Sequence, residues 1–261
     1  QGYLENLGIT REEDFKFMDA IDKLLKQVAE SVVPYEVCTP PVLIDELPEI
    51  EKLKNTLREA GAKGTEDSIM YAFGLQLNPD VPSLETKDLV DYLRAFLIFY
   101  YWLKQRLEVD FTRQITPYVN AFSKKYTRKV LDPSYNPTRD EFIDDYLYYN
   151  PTRNRALDLL PLLAYLDQER VRNAVDDHLI KARPTFHYRL PNSKVSLKSW
   201  SIIEEWNNWV LVEKLAENKT AINDLGKAYL TYLNDTFATK QDWLLKIEKW
   251  VNSIQENPSS V

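Results

Sequence analysis

The chain has little glycine, cysteine or histidine, and each shortage excludes a class of chemistry. Only six glycines occur in 261 residues, and neither a P-loop nor a dinucleotide-binding pattern is present. Cys38 is the only cysteine, which excludes an internal disulfide and a zinc site made of cysteines. His178 and His187 are the only histidines, and their spacing differs from that of the metalloprotease helix pair.

Positive charge and long apolar runs are also scarce. The net charge of −7 argues against non-specific nucleic-acid binding, which needs a broad basic surface. The longest apolar run, residues 95–103, has nine residues, whereas a membrane-spanning helix needs roughly 20. We therefore expect no nucleic-acid partner and no membrane partner, and the single cysteine predicts a cytoplasmic location. What remains is carboxylate, amide and arginine chemistry, which suits hard cations, phosphates and carboxylates.

One short segment, residues 181–192, combines an apolar face with a cationic face. Read with a period of two, it predicts a β-strand in a mostly helical sequence. Two arginines and a histidine in register predict a cavity that binds anions, but an exposed edge strand with ion-paired arginines explains the same pattern. The apolar face carries Phe186, Tyr188 and Leu190, and the other face carries Arg183, Thr185, His187 and Arg189.

Two further predicted strands carry polar side chains. In residues 68–79 apolar side chains alternate with small or polar ones, and small residues precede Gln76 and Asn78 on the polar face. The small residues leave room either for a ligand or for a neighbouring element. Residues 33–41 also read as a short strand, with Glu36 on one face. Residues 109–119, which include Arg113, are predicted to be extended.

A helix start is predicted at Asn150, because asparagine is a favoured N-cap and Pro151 follows it. Arg153 and Arg155 then fall in the first turn and a half, where the helix dipole disfavours cations unless an anion is held there. That anion is either an aspartate of the chain or a substrate phosphate or carboxylate. The aspartates available are Asp144, Asp145 and Asp158.

Apolar periodicity predicts the remaining elements. We expect helices at 11–31, 46–60, 86–107, 138–149 and 168–181, a loop at 123–138, and helices from 192 to near the end. The fold class is therefore α+β, with a small, mostly antiparallel sheet and many flanking helices. We expect an α+β domain at 1–197, a helical C-terminal extension at 198–256 packed on it, and a disordered tail at 257–261.

Four segments together resemble the amidoligase family of bacterial proteins, whose fold is similar to carboxylate-amine ligases of the glutamine synthetase type. The resemblance runs from about residue 30 to about residue 215, and the last two segments are the most specific. The segments are PYEVCTPP (34–41), GAKGT (61–65) leading to YAFGLQLNP (71–79), NPTRNRALD (150–158) and RPTFHYRLPN (183–192).

The resemblance implies ATP-dependent joining of a carboxylate to an amine through an acyl-phosphate, with a small molecule, amino acid or peptide as substrate. It implies ATP and Mg²⁺ or Mn²⁺ as cofactors, because divalent ions and arginines neutralise phosphate charge. On this basis Glu36 is the expected metal ligand. The expected nucleotide-binding residues are Gln76, Asn78, Arg113 and Arg155, and the expected catalytic residues are Arg153, Arg183, His187 and Arg189.

The sequence departs from the pattern of related ligases in three places. Gln76 stands where these tend to carry a histidine, and His187 stands where they often carry an acidic residue. Their early Glu-x-Glu strand has no counterpart before residue 30, so we expect that strand upstream of Gln1 and an incomplete, inactive metal site in this chain. Two alternatives follow: a non-catalytic module that binds an anionic peptide or nucleotide, and a structural helical partner protein.

Overall fold

The computed structural model describes residues 37–65, 74–108 and 119–256. Within them, nine α-helices surround a small antiparallel sheet, which confirms the α+β class. The helices are α1 (Leu47–Glu59), α2 (Thr86–Arg106), α3 (Lys124–Leu131), α4 (Arg139–Tyr149), α5 (Leu160–Leu166), α6 (Gln168–Ala174), α7 (Ile202–Glu217), α8 (Lys219–Asn234) and α9 (Lys240–Glu256), and the strands are β1 (Leu157–Asp158) and β2 (His187–Tyr188).

Helix α2 is the centre of the hydrophobic core. Its apolar residues are buried on every side, as the sequence predicted for a central helix. Helices α7, α8 and α9 pack against α2, and the indole of Trp243 on α9 donates a hydrogen bond to the Ile98 carbonyl, 3.2 Å away. One hydrophobic cluster extends from Leu89 to Ile254. The domain boundary at residue 197 stays a prediction.

Several predicted elements differ from the structure. Residues 37–43 have no regular secondary structure, so the strand predicted at 33–41 is wrong over its described part. The loop predicted at 123–138 contains helix α3, whose N-cap Ser123 accepts a hydrogen bond from the Tyr126 backbone. The predicted helix at 168–181 ends at Ala174. The predicted helix at 11–31 and the tail at 257–261 lie outside the described residues.

The predicted helix start at Asn150 is wrong. Asn150 instead follows the last turn of α4, and it is fully buried. Its side-chain oxygen accepts a hydrogen bond of 2.9 Å from Arg155 Nε, so the amide that could have capped a new helix is occupied elsewhere. Residues 151–156 form an irregular segment that leads into β1.

Hydrogen bonds extend the sheet beyond its two short strands. Leu77 and Tyr188 exchange backbone hydrogen bonds of 3.0 and 2.8 Å, and isolated bridges join Leu77 to Tyr188 and Asp80 to Thr185. The segment around β2 therefore lies between β1 on one side and residues 75–81 on the other. This is the antiparallel arrangement expected from the sequence.

The alternation predicted for residues 183–190 is confirmed. Phe186, Tyr188 and Leu190 are fully buried. Trp209 on α7 packs on this apolar face, with ring centroids 5.5 Å from Phe186 and 5.4 Å from Tyr188. The helices thus cover one face of the sheet, and the polar side chains of the strand lie on the opposite face.

A capping box fixes the start of helix α4. The Thr138 side chain accepts a hydrogen bond from the Glu141 backbone at 3.3 Å, and the Glu141 carboxylate accepts one from the Thr138 backbone at 2.8 Å. We expect Thr138→Ala to lower the free energy of unfolding by about 1 kcal/mol. Thr138→Ser keeps the acceptor and should restore most of the loss. Urea unfolding measures both, and equal losses in the two variants would contradict the capping role.

Candidate functional site

The polar face of the sheet brings together residues that are distant in the sequence. In the register set by the Leu77–Tyr188 pair, Asn78 lies opposite His187 and Gln76 lies opposite Arg189. On the other side of the central strand, Asp158 of β1 is paired directly with His187. Because directly opposed residues of a sheet share a face, all these side chains lie on the same side.

His187 is the centre of this face. Its ring is buried, and its Nδ1 atom lies 3.1 Å from the amide nitrogen of Gln76, which also donates a hydrogen bond of 2.7 Å to Asn78 Oδ1. Burial, followed by the charges of Arg189, Arg183 and Arg153, lowers the pKa of His187 to about 3. The ring is therefore neutral at physiological pH.

Asp158 is a fully buried carboxyl group beside His187. Its Oδ2 atom accepts a hydrogen bond from Arg189 Nη2 at 3.0 Å, and its Oδ1 atom accepts one from the Leu160 backbone at 3.0 Å. Burial raises the pKa of Asp158 to about 6, although the charge of Arg189 and the Leu160 hydrogen bond act in the opposite direction. Desolvation thus outweighs the ion pair at this position.

The position of Asp158 is set by its neighbours in the chain. The Tyr146 hydroxyl on α4 accepts a hydrogen bond of 3.0 Å from the Leu159 backbone, and Tyr146 is itself fully buried. The backbone of Leu160, the first residue of helix α5, donates the hydrogen bond to Asp158 Oδ1. Asp158 is therefore held between the end of β1 and the start of a helix, which leaves its carboxyl little freedom to move.

Two more arginines of the predicted site lie close enough to His187 to affect its pKa. Arg153 and Arg183 both contribute to lowering the pKa of His187. The Nε atom of Arg153 lies 2.9 Å from Asp177 Oδ2 in an ion pair, whereas the Arg183 side chain is exposed. Together with Arg189 they give the polar face three positive charges around one neutral histidine.

Arg155 makes its contacts away from His187 and the three arginines Arg153, Arg183 and Arg189. It donates to Asn150 Oδ1, donates a hydrogen bond of 3.1 Å to the Ala121 carbonyl and lies over the ring of Phe122. Through these contacts Arg155 connects residues 119–122 to the segment that precedes β1. Its assigned role in nucleotide binding stays a prediction.

Glu36 and Arg113, the predicted metal ligand and one predicted nucleotide-binding residue, lie outside the described residues. Over 37–65, 74–108 and 119–256, no group of three or more histidine, cysteine, aspartate or glutamate side chains is arranged to hold a metal ion. Both oxygens of Asp158 already accept hydrogen bonds. The donor set of the described polar face alone therefore does not fit a metal site, and the metal prediction depends on Glu36.

Asp158 and Thr185 were not among the predicted site residues. Thr185 lies on the polar face, two residues before His187, and is buried. One signal could have identified Asp158: it is the only charged residue in the otherwise apolar run 156–164. Buried carboxylates are rare unless they are paired, so an aspartate in such a run indicates a specific partner.

No helix in the described part of the chain has both the length and the apolar character needed to cross a membrane. Comparison with family models found one that matches residues 9–211, described as "putative amidoligase enzyme". Comparisons with curated proteins and with solved structures found no significant match. The family match includes both edges of the polar face and the segment that carries Trp209.

Proposed function

Because the chain belongs to the amidoligase family, a family of ligase-type proteins, we propose that it joins a carboxylate to an amine in an ATP-dependent reaction with an acyl-phosphate intermediate. The observation that carries this proposal is the polar face of the sheet. There a neutral histidine and a buried aspartate lie among three arginines. Arginine clusters in partly buried sites suit phosphate and carboxylate groups, which are the reacting groups of this chemistry.

The reaction has two steps with different electrostatic needs. A substrate carboxylate oxygen attacks the γ-phosphorus of ATP, and ADP leaves. The amine nitrogen then attacks the acyl carbon, loses a proton, and inorganic phosphate leaves. Negative charge develops on phosphoryl oxygens in the first step and on the acyl oxygen in the second, and preorganised positive charge lowers both barriers.

The arginines divide into two kinds by their contacts. Arg189 is held by Asp158, whose Oδ2 atom lies 3.0 Å from Arg189 Nη2, so the position of its guanidinium group is fixed. Arg183 is exposed and is free to follow the transferred phosphoryl group. We assign Arg189 to holding the substrate carboxylate or acyl-phosphate and Arg183 to the phosphates of ATP.

ATP with Mg²⁺ or Mn²⁺ is part of the proposal, with Glu36 as the assigned metal ligand. A bound divalent ion would neutralise charge on the phosphates. Gln76 and Asn78 are retained as nucleotide-binding candidates, because the Gln76 amide lies beside His187 and donates a hydrogen bond to Asn78. A cytoplasmic setting and partners that include neither nucleic acid nor membrane are further parts of the proposal.

The test is ATP consumption in the presence of Mg²⁺ and mixed amino acids or peptides, with products identified by mass spectrometry. We expect ADP and an amide product from the full-length wild-type protein, and more than tenfold lower turnover from its Arg183→Ala and Arg189→Ala variants, about 1.4 kcal/mol or more in barrier height. Arg172→Ala is the matched control, because Arg172 is exposed on α6 and is not among the charges that act on His187 or Asp158.

Two outcomes would contradict the proposal in different ways. Turnover that both site variants leave unchanged would remove the assigned roles of the arginines. Nucleotide or anion binding without any turnover in the full-length protein would favour the non-catalytic binding module instead.

A further inference from the structure

Two buried polar atoms on the same face have no hydrogen-bond partner among the described residues. They are Thr185 Oγ1 and His187 Nε2, and the two residues are 8% and 9% exposed. A buried polar group without a partner costs about 1–3 kcal/mol. Because residues i and i+2 of a strand point to the same side, the two side chains lie on the same face of the sheet, and a polar ligand bound against that face would satisfy both atoms.

The contacts of His187 determine which of its ring nitrogens carries the proton. The amide nitrogen of Gln76 lies 3.1 Å from Nδ1 and donates its other hydrogen to Asn78 Oδ1. An amide nitrogen is only a donor, so Nδ1 accepts. The neutral ring then carries its proton on Nε2, which makes the unpartnered atom a hydrogen-bond donor. Burial and the three arginines act against a second proton.

The charges around this donor favour a ligand that is rich in acceptor oxygens. Arg183 and Arg189 lie on the same strand, Arg153 precedes β1, and Asp158 faces His187 from β1. Asp158 is bound to Arg189, and Asp177 is bound to Arg153. Asp80, opposite Thr185, is exposed. Two of the three arginines are thus paired with aspartates, whereas Arg183 has no carboxylate partner among the described residues, so its positive charge is available to a bound anion.

We propose that Thr185 and His187, together with Arg183 and Arg189, form a receptor for an oxyanion in which His187 is a neutral hydrogen-bond donor through Nε2. The ligand class is a phosphoryl or carboxylate group, and the inference rests on the proposed function, which places these groups on this face. His187 is then neither a general base nor a metal ligand. A neutral donor is compatible with three adjacent arginines, whereas an imidazolium would be repelled by them.

Nitrogen NMR on the full chain, labelled with ¹⁵N only in histidine, tests the inference directly. The two histidines give separate signals, with exposed His178 as the internal reference. We expect a neutral Nε2–H tautomer for His187 and, on addition of a ligand, a change at His187 Nε2 but not at His178. Inorganic phosphate, glutamate and a non-hydrolysable ATP analogue are added separately, which distinguishes a phosphoryl ligand from a carboxylate ligand.

Substitutions of His187 and Thr185 test whether binding depends on their hydrogen-bonding groups. His187→Gln keeps an N–H near the position of Nε2 and should bind the effective ligand within about threefold of the wild type, whereas His187→Leu should bind more than tenfold more weakly, or about 1.4 kcal/mol. Thr185→Ser should bind like the wild type, and Thr185→Val should weaken binding. Calorimetry measures all four, and thermal unfolding confirms that each variant is folded.

The inference is overturned by an Nδ1–H tautomer, by a protonated His187 at neutral pH, or by a His187 signal that none of the three ligands changes. Equal loss in His187→Gln and His187→Leu would also overturn it. Failure of the ligase reaction is distinguishable from these results. Ligand binding at His187 Nε2 without ATP turnover leaves the receptor in place and contradicts only the proposed function.

Discussion

The Asp158→Asn variant is expected to gain stability relative to the wild type as the pH rises from about 4 to about 7. The carboxyl group of Asp158 is fully buried, and burial raises its pKa from 3.8 to about 6. At about 1.4 kcal/mol per pKa unit, this difference corresponds to roughly 3 kcal/mol of free energy of unfolding. Asparagine does not titrate, so the variant lacks this pH dependence.

The sign follows from proton binding in the two states. Between pH 3.8 and about 6, the folded protein holds the Asp158 proton more tightly than the unfolded chain does. Unfolding therefore releases a proton, and the free energy of unfolding falls as the pH rises through this window. The contribution of Asp158 is fully present below the lower value and is lost above the higher one.

Urea unfolding of both proteins at several pH values measures the effect as the difference between their free energies of unfolding. Asp176→Asn, a change at an exposed aspartate, corrects for the general loss of one carboxylate. A pH-independent offset between wild type and Asp158→Asn is expected as well, because an amide replaces the carboxyl group in the hydrogen bonds with Arg189 and the Leu160 backbone. Curves that run parallel across the whole range would show that the pKa of Asp158 is not raised.

This result would have a functional meaning. An ionised Asp158 lowers stability at neutral pH, yet the same carboxylate fixes Arg189 beside His187. Natural proteins often keep groups that reduce stability where activity requires them. A loss of stability located at the polar face would therefore support its role as the functional site.

The elements that sequence reasoning predicted well are those with strong local periodicity. Helix α2 shows the helical period over its whole length, and the strand around His187 shows a strict period of two. In each case the apolar residues that the sequence predicts to be in the core are buried in the structure. Local pattern was sufficient here because local preference and tertiary burial agree.

The mispredicted elements are those where a local signal competes with a distant contact. Asn150 followed by Pro151 is a strong helix start, but the Asn150 amide binds Arg155 and the residue is fully buried. The sequence predicts a loop where helix α3 lies, because residues 123–138 are basic, rich in tyrosine and interrupted by two prolines. Its buried residues Tyr126 and Val130 have the i, i+4 spacing of one helix face, which is a weak signal over eight residues.

In the candidate site, too, local pattern could be predicted and distant contacts could not. The face of Arg183, His187 and Arg189 could be predicted, because it depends only on alternation along one strand. The residues that contact this face could not be predicted. Asp158 and Gln76 are brought to His187 by pairing between segments that are 29 and 111 residues apart in the sequence. Sequence alone gives no register for such a pairing.

Helix α1 is joined to the start of α7 by a buried lysine. Lys54 is 2% exposed, and its Nζ atom lies 2.7 Å from the Trp200 carbonyl and 2.6 Å from Glu51 Oε1. The other oxygen of Glu51 accepts hydrogen bonds from Ile202 and Ser201 at the start of α7. Burial alone would raise the pKa of Glu51, but these partners outweigh it and lower the pKa. Trp200 and Ile202 also belong to a small hydrophobic cluster against which Leu75 packs.

Lys54→Met is therefore expected to lower the free energy of unfolding by about 2–3 kcal/mol, because the change leaves a carboxylate and a carbonyl without their charged donor. Lys52→Met is a matched control on the same helix, since Lys52 and its partner Glu49 are 71% and 66% exposed and such pairs contribute about 0.5 kcal/mol or less. Urea unfolding at neutral pH compares the two. Equal destabilisation would show that the buried lysine does not fix α1 to α7, and a larger loss in Lys54→Met would support that role.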